Sequence, residues 1–369
     1  MGAGFFPHFM LADEVARIGE LEQQFGFVKN SAADLATVPN GLAGITKAHS
    51  AVNATPWAFI SLALAMMMGT ASLPHVMMRY FTTPSVKAAR KSVGWSLFFI
   101  FLLYSSAPML ATLSKLSLID PTLSTGIIGK SFAEVQNIDW FKNWNQANLM
   151  FISDFNGNGT LELNEFFMGG KAVVLATPEI AGLPYVISGL VAAGGMAAAM
   201  STADGLILAI ANAISHDVYY KMIDPKAETA KRLLVARALL VVIGFAGATI
   251  AAMEIQGILG SVIWAFDFAM SGLFFPLVLG VWWKRANKEG AIAGMALGLI
   301  SGAGYLIWVR NGGSGFLGIT QLTFGIFGSA VSLVAMVVVS LITSEPNAAT
   351  QKMVDEVRVP SGRTILGKQ

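Results

Sequence analysis

Apolar and polar positions alternate along this chain in long blocks rather than in short amphipathic periods. Seven blocks are predominantly apolar: 56–80, 93–115, 183–215, 232–253, 257–283, 290–309 and 319–343. Each reaches the roughly 20 residues that an α-helix needs to cross a bilayer core. The third is longer than one crossing requires, so it is expected to tilt, bend or protrude. In lipid every backbone polar group must be satisfied internally, and helices do this segment by segment. The pattern therefore predicts an all-α polytopic membrane protein with the lipid bilayer as its main partner. The organisation that follows is an N-terminal segment (1–54), spans one and two (55–115), a long loop (116–182), spans three to five (183–283), spans six and seven (284–343) and a polar tail (344–369). Within the first segment, "ADEVARIGELEQQF" reads as a short amphipathic helix.

Composition sharpens this picture. The chain of 369 residues is 54% hydrophobic and 12% charged, with mean hydropathy +0.62; soluble domains carry about 25% charged residues. A net charge of +2 gives no electrostatic support for nucleic-acid binding. No cysteine is present, which excludes disulfides, thiolate chemistry and cysteine-based zinc sites. His8, His49, His75 and His216 are scattered without metal-ligand spacing. The N-terminus shows no basic region or small-residue cleavage site, so no signal peptide is predicted.

Basic residues set the orientation. Arg79, Lys87, Arg90 and Lys91, then Lys221, Lys226, Lys231 and Arg232, then Lys284, Arg285 and Lys288 fall in one set of connections, with the basic C-terminal tail. The opposite set is richer in acid: Asp120, Glu134, Asp139, Asp154, Glu162, Glu165 and Glu179. The first set is predicted to be cytoplasmic, in a cell (plasma or inner) membrane, with the N-terminus outside and the C-terminus inside. The loop 116–182 would then be external.

The third span carries "MSTADGLILAIANAISHD" (200–217). At about 100° per residue, Gly194, Ala198, Ser201, Asp204, Gly205, Asn212 and Ser215 gather on one broad face, with Thr202 at its edge. Small and hydroxyl residues are also the ordinary contacts between membrane helices, so packing is the plainer reading of Ser201 and Thr202. Asp204 points further: an intramembrane carboxylate costs at least ~2.5–3.5 kcal/mol and marks a functional candidate. It is protonated, paired with Arg237, or set against a bound cation such as Na⁺, for which hydroxyls, carbonyls and a carboxylate are suitable ligands. Asp267, in "SVIWAFDFAMSG", is a second membrane carboxylate, read either as a hydrogen-bonded structural group or as part of ion or proton coupling. Two membrane aspartates also raise an intramembrane aspartyl protease, which needs the two carboxyls to share a proton at close range. The contexts "STADG" and "AFDF" do not match the Tyr-Asp and Gly-x-Gly-Asp patterns of such enzymes.

Three segments in order resemble the sodium:solute symporter family: "GTASLPHVMMRYFTTPSVKAARKSV" (69–93), with an interruption near Gly69 and Pro74; "AAAMSTADGLILAIANAISHDVY" (197–219); and "PLVLGVWWKRANKEGAIAGMALGLISG" (276–302), with Lys284, Arg285, Gly290 and Ala291 at a helix–turn–helix. The similarity points most to the cation/acetate (monocarboxylate) symporter branch and covers nearly all of 55–345. It implies the inverted-repeat fold of five plus five helices around a midplane site. Spans one to five would be core helices six to ten, and spans six and seven peripheral. The resemblance implies a sodium site using the Ala198 carbonyl and the Ser201 and Thr202 hydroxyls, with solute near Met68, Thr70 and Ser72, where helix-end N–H groups suit a short carboxylate such as acetate. The plainer reading of those last three is packing or helix bending. No arginine is clearly placed for a carboxylate, and Arg79 reads as a topology anchor. Core helices one to five are expected from a missing N-terminal half or a separate chain.

The loop adds "DFNGNGTLELNE" (154–165), which matches the calcium-loop pattern D-x-[DN]-x-[DN]-G-x₅-E. Asp154, Asn156 and Asn158 stand at positions 1, 3 and 5, Gly159 at 6, Thr160 (by its carbonyl) at 7, Glu162 at 9 and Glu165 at 12. A solvated Asn/Gly turn is the plainer alternative. "NWNQANLMFIS" is expected as the incoming helix, with Gly169 and Gly170 cutting the outgoing one short, giving a single module of modest Ca²⁺ affinity. The leading function is non-enzymatic sodium-coupled symport of a small organic solute. The alternative is a non-transporting membrane scaffold or calcium-responsive sensor.

Overall fold

A computed structural model describes residues 13, 14, 16–18 and 20, and residues 56–358 except 164, 254 and 256. The expected helix beginning at Ala12 lies largely outside the described residues, as does the end of the tail. The helices are α1 (Pro56–Ser72), α2 (Pro74–Met77), α3 (Val86–Ile119), α4 (Phe132–Gln136), α5 (Asp139–Gln146), α6 (Val173–Ile180), α7 (Tyr185–Asn212), α8 (Thr229–Ala252), α9 (Ile258–Ala269), α10 (Phe275–Trp282), α11 (Lys288–Arg310), α12 (Phe324–Ile342) and α13 (Ala348–Arg358). The sheet found among the described residues is one antiparallel ribbon, β1 (Met150–Ile152) with β2 (Phe166–Met168).

Among the described residues, six helical stretches are long and apolar enough to cross a membrane: Val86–Ile119, Tyr185–Ile223, Thr229–Ala252, Ile258–Trp282, Lys288–Arg310 and Phe324–Ile342. The pair Phe59–Ser72 and Pro74–Tyr80, bent by 52°, makes a seventh if it counts as one span. The protein is an all-α polytopic membrane protein. Large apolar side chains face outward on these helices, as on α8, where Val241 and Phe245 are 73% and 76% exposed. Apolar area on that scale is stable only against lipid or other helices.

The bend in the first span has a local cause. Pro74 has no N–H to give to the preceding turn, and its ring crowds the carbonyl four residues back. Gly69 is not part of the break, as the sequence suggested, but lies inside α1. A Cβ there would stand 2.6 Å from the Phe266 carbonyl oxygen, so Gly69 permits close backbone approach.

The chain divides into two compact units, 1–54 with 95–199, and 55–94 with 200–369. In the first, the long loop is a folded cap with its own core. Leu118, Ile119, Ile127, Val135, Phe141, Met150, Leu161, Phe166, Ala176 and Ile180 pack together, joined by Ile18 from the N-terminal segment. The incoming helix to the calcium-type loop was expected to run through 143–153, but α5 stops at Gln146. Asn148 takes φ 55°, the left-handed conformation that ends helices and that Asn tolerates. The chain then enters β1, so the loop closes on a β-ribbon rather than between helices.

In the second unit α11 lies against α12. Gly290, Gly294, Gly298 and Gly302 recur every fourth residue and are all buried, the small-residue spacing that lets membrane helices approach closely. A Cβ on Gly294 would stand 3.0 Å from the Met336 Cβ and 3.1 Å from the Ser332 carbonyl oxygen. The turn between α10 and α11 ties down the far end of α12. Arg285 donates to the carbonyls of Leu341 (3.2 Å) and Thr343 (2.7 Å). Asn287 caps α11 by accepting from the Gly290 N–H (2.8 Å), and its amide donates to the Thr343 hydroxyl (2.6 Å). The described part of the tail is ordered: α13 docks through Lys284 Nζ to Asp355 at 2.8 Å, with Val354 buried.

Candidate functional site

Ala198, Ser201, Thr202 and Asp204 all lie on α7, an apolar helix without a break in that region, and all four are exposed. Ser201 and Thr202 are adjacent, and Ala198 is one turn before them. The set offers hard oxygen donors suited to a small cation, but too few to enclose one. Among the described residues no ion pair joins Asp204 to Arg237, so that reading of Asp204 fails.

The broken span approaches α7 at Gly205, one turn beyond Ser201. A Cβ at Gly205 would stand 3.8 Å from both the His75 Cβ and an Arg79 guanidinium nitrogen. Thr70 and Ser72 donate their hydroxyls to the carbonyls of Met66 and Met68, each at 2.6 Å, and Ser72 is fully buried. These back-bonds occupy the carbonyls near the Pro74 break, which favours the bending role over solute contact for both hydroxyls. Met68 is half-buried on the same helix.

A cavity of about 620 Å³ opens next to this bend, lined by Pro74 and Met78, by Asn212, Ser215 and His216, and by Arg232 on α8. Asn212 and Ser215 belong to the polar face read from sequence. The stretch Ala213–Ile223 is π-helical, a wider winding that is frequent at functional sites. The sequence reading missed Arg232 as a site residue, because a basic residue at a span end looks like a topology anchor. Its guanidinium stacks on the Tyr220 ring at 3.8 Å, which fixes it beside the cavity. An arginine therefore lines this cavity.

Asp267 has no exposure, and among the described residues neither carboxyl oxygen has a hydrogen-bond partner of ordinary geometry. It packs against the Gly325 backbone, where a Cβ would stand 2.7 Å from Oδ1. Asp204, by contrast, is exposed. No hydrogen bond links the two, so the carboxyl dyad that an aspartyl protease needs is not assembled.

The loop 154–165 has the main-chain form of a cation loop. Gly157 and Gly159 take φ 72° and 71°. Asp154 accepts from the N–H groups of Gly157 (2.7 Å) and Gly159 (3.0 Å), Asn156 from Asn158 (2.9 Å), and Asn158 from Thr160 (2.8 Å). Glu165 folds back, accepting from Phe155 and Glu162, each at 3.0 Å. Among the described residues no three His, Cys, Asp or Glu side chains gather into a metal-binding cluster. A calcium loop takes much of its ligand set from amide and main-chain oxygens instead.

The fold defines the class: a polytopic membrane protein in which a broken span lies beside an apolar helix carrying two adjacent hydroxyl residues. The sodium:solute symporter family model matches residues 10–119 and 171–298, and the chain belongs to that family, one of transporters rather than enzymes. A protein described as an uncharacterized symporter of Cupriavidus necator is 40% identical over 310 residues, 81% of this chain and 44% of the relative. The monocarboxylic acid transporter of Corynebacterium glutamicum is 28% identical over 255 residues, 69% of this chain and 39% of the relative. The chain thus spans less than half the length of these relatives. The family match is interrupted between 119 and 171, where the cap lies.

Proposed function

We propose that this chain forms the sodium-binding and gating part of a symporter for a small organic solute, with a short-chain monocarboxylate such as acetate as the solute class. The observation that carries the reading is the adjacent Ser201–Thr202 pair, one turn after Ala198, on an apolar helix flanked at Gly205 by a broken span. Sodium is held by the Ala198 carbonyl and the two hydroxyls. Its remaining oxygens come from further helices, in the same polypeptide or a separate one. Asp204 and Asp267 do not ligate the ion directly in this reading; Asp204 adjusts the local charge.

Arg232, fixed on Tyr220, draws the solute carboxylate into the cavity, and the bend at Pro74 is the element that rearranges during alternating access. Arg79, Lys87, Arg232 and Lys284 stand on the cytoplasmic side of a plasma or inner membrane, and the cap faces out. The similarity to a monocarboxylic acid transporter supports the solute class.

The test is uptake of labelled acetate into proteoliposomes by this chain joined to the part of a relative that lies outside the matched region. Exchange of sodium for choline is expected to abolish uptake. Ser201→Ala with Thr202→Ala is expected to raise the sodium concentration for half-maximal uptake by about tenfold, as for the loss of about 1.4 kcal/mol of binding. Unchanged sodium dependence in that double variant would remove the assignment.

A further inference from the structure

The cap 120–170 lies outside the two stretches that match the family model, so the transport reading leaves it unexplained. We propose that residues 154–165 form a Ca²⁺ site, with Asp154, Asn156, Asn158 and Glu162 giving side-chain oxygens, Thr160 its carbonyl, and Glu165 both carboxylate oxygens.

The sequence pattern alone would also suit a solvated turn. Two features of burial argue for a cation. Glu165 is only 1% exposed, and its carboxylate accepts two main-chain N–H groups but meets no basic side chain among the described residues. Glu162 Oε2 is buried and has no hydrogen-bond partner among the described residues, although Oε1 of the same carboxylate accepts from the Asn158 amide at 3.0 Å. A solvated turn would leave these oxygens to water. Burying carboxylates without a counter-charge is unfavourable, and three acidic side chains within twelve residues add mutual repulsion. A divalent cation removes both penalties. The amide and carbonyl share of the ligands matches Ca²⁺, which takes six to eight oxygens in flexible geometry, better than Mg²⁺, which demands a small octahedron.

The loop is also coupled to the rest of the cap. Leu161, at position 8, is fully buried in the cap core. Its N–H donates to the Lys130 carbonyl and its carbonyl accepts from the Gly129 N–H, both at 2.8 Å. β1 and β2 clamp the two ends of the loop, with Phe151 stacked on Phe167 at 4.5 Å. Cation binding therefore stiffens the cap as a whole, not the loop tip alone.

Calorimetric titration of CaCl₂ into the purified full chain in detergent tests this independently of transport. One Ca²⁺ per chain with Kd on the order of 10⁻⁴–10⁻³ M is expected, with no comparable heat from MgCl₂. Glu165→Gln should weaken binding at least tenfold. Because Glu165 is buried, Asp154→Asn serves as the second variant. Its side chain is exposed, and it should also weaken binding tenfold while the circular dichroism spectrum stays that of the parent. A folded parent chain with no saturable Ca²⁺ heat, or an Asp154→Asn chain that binds as the parent does, overturns the proposal. Either result leaves the sodium assignment standing, since that is read from uptake.

Discussion

Arg17 and Asp120 are joined, Nε to Oδ2 at 3.3 Å, across 103 positions of the chain. The contact ties the N-terminal segment to the first residue after α3, beside Ile18 in the cap core. Asp120 also accepts from the Thr122 hydroxyl (2.7 Å) and N–H (2.9 Å). The Thr122 hydroxyl, then its N–H and the Arg17 guanidinium, hold the Asp120 carboxyl below the usual carboxylate range. A group with a lowered folded pKa contributes stability that is full above its unfolded value, about 3.9, and is lost as pH falls from there through the folded value. Thermal unfolding in detergent should therefore show the parent chain losing stability faster than Asp120→Asn below about pH 4. Parallel pH profiles would mean that Asp120 makes no linked contribution.

Packing of α11 on its neighbours predicts a contrast between two glycines. A Cβ on Gly298 would run into the Ser271 carbonyl oxygen, while one on Gly304 meets nothing within 4 Å. Gly298→Ala should destabilise by about 1–3 kcal/mol through overpacking. Gly304→Ala should be neutral, or stabilise by up to ~1 kcal/mol through helix propensity. Melting temperatures of the two variants in detergent check the contrast.

Asn287 acts at two helix ends at once, accepting from the Gly290 N–H and donating to the Thr343 hydroxyl. Asn287→Ala should lose about 1–2 kcal/mol, the upper part of the range for N-cap loss. Asn287→Asp keeps the cap acceptor but not the donor and should recover part of the loss. A thermal-shift series orders the three chains.

Asp267 supplies the fourth expectation. Among the described residues its buried carboxyl oxygens have no hydrogen-bond partner of ordinary geometry, so the amide of Asp267→Asn, equal in size and uncharged, should keep or raise stability. Asp267→Glu adds a methylene against Gly325 and should cost about 1–3 kcal/mol. If Asn destabilised as much as Glu, the carboxylate itself would be required at this position. The same variants in the uptake assay separate structure from coupling: a structural Asp267 leaves sodium dependence unchanged in Asp267→Asn.

The seven apolar runs were legible because crossing lipid imposes a length and a composition on each helix separately, and neither depends on its neighbours. The Pro74 break was legible because proline acts on its own turn, and the polar face of α7 because helical periodicity is local. The position of Gly69 was misread for the opposite reason. A glycine in a helix looks the same in sequence whether it breaks the helix or, as here, lets Phe266 approach. Likewise, the ligand spacing of 154–165 could be read residue by residue, but Asn148 stopped the expected incoming helix, since cap packing and a left-handed turn outweighed a weak helical pattern.

By itself, then, the sequence determined the all-helical membrane class and the residue types available for cations, because these rest on hydrophobicity, periodicity and spacing within single segments, and it carried the three motifs on which the family resemblance rests. Tertiary structure decided which of those residues are usable. It buried Asp267 against Gly325 while leaving Asp204 exposed, which removed the paired-carboxyl chemistry. It fixed Arg232 on Tyr220 beside the cavity, and it gave the loop carrying Glu165 a packed core of its own. These outcomes depend on contacts between different elements, where burial and close packing, not local pattern, set the energy of each polar group.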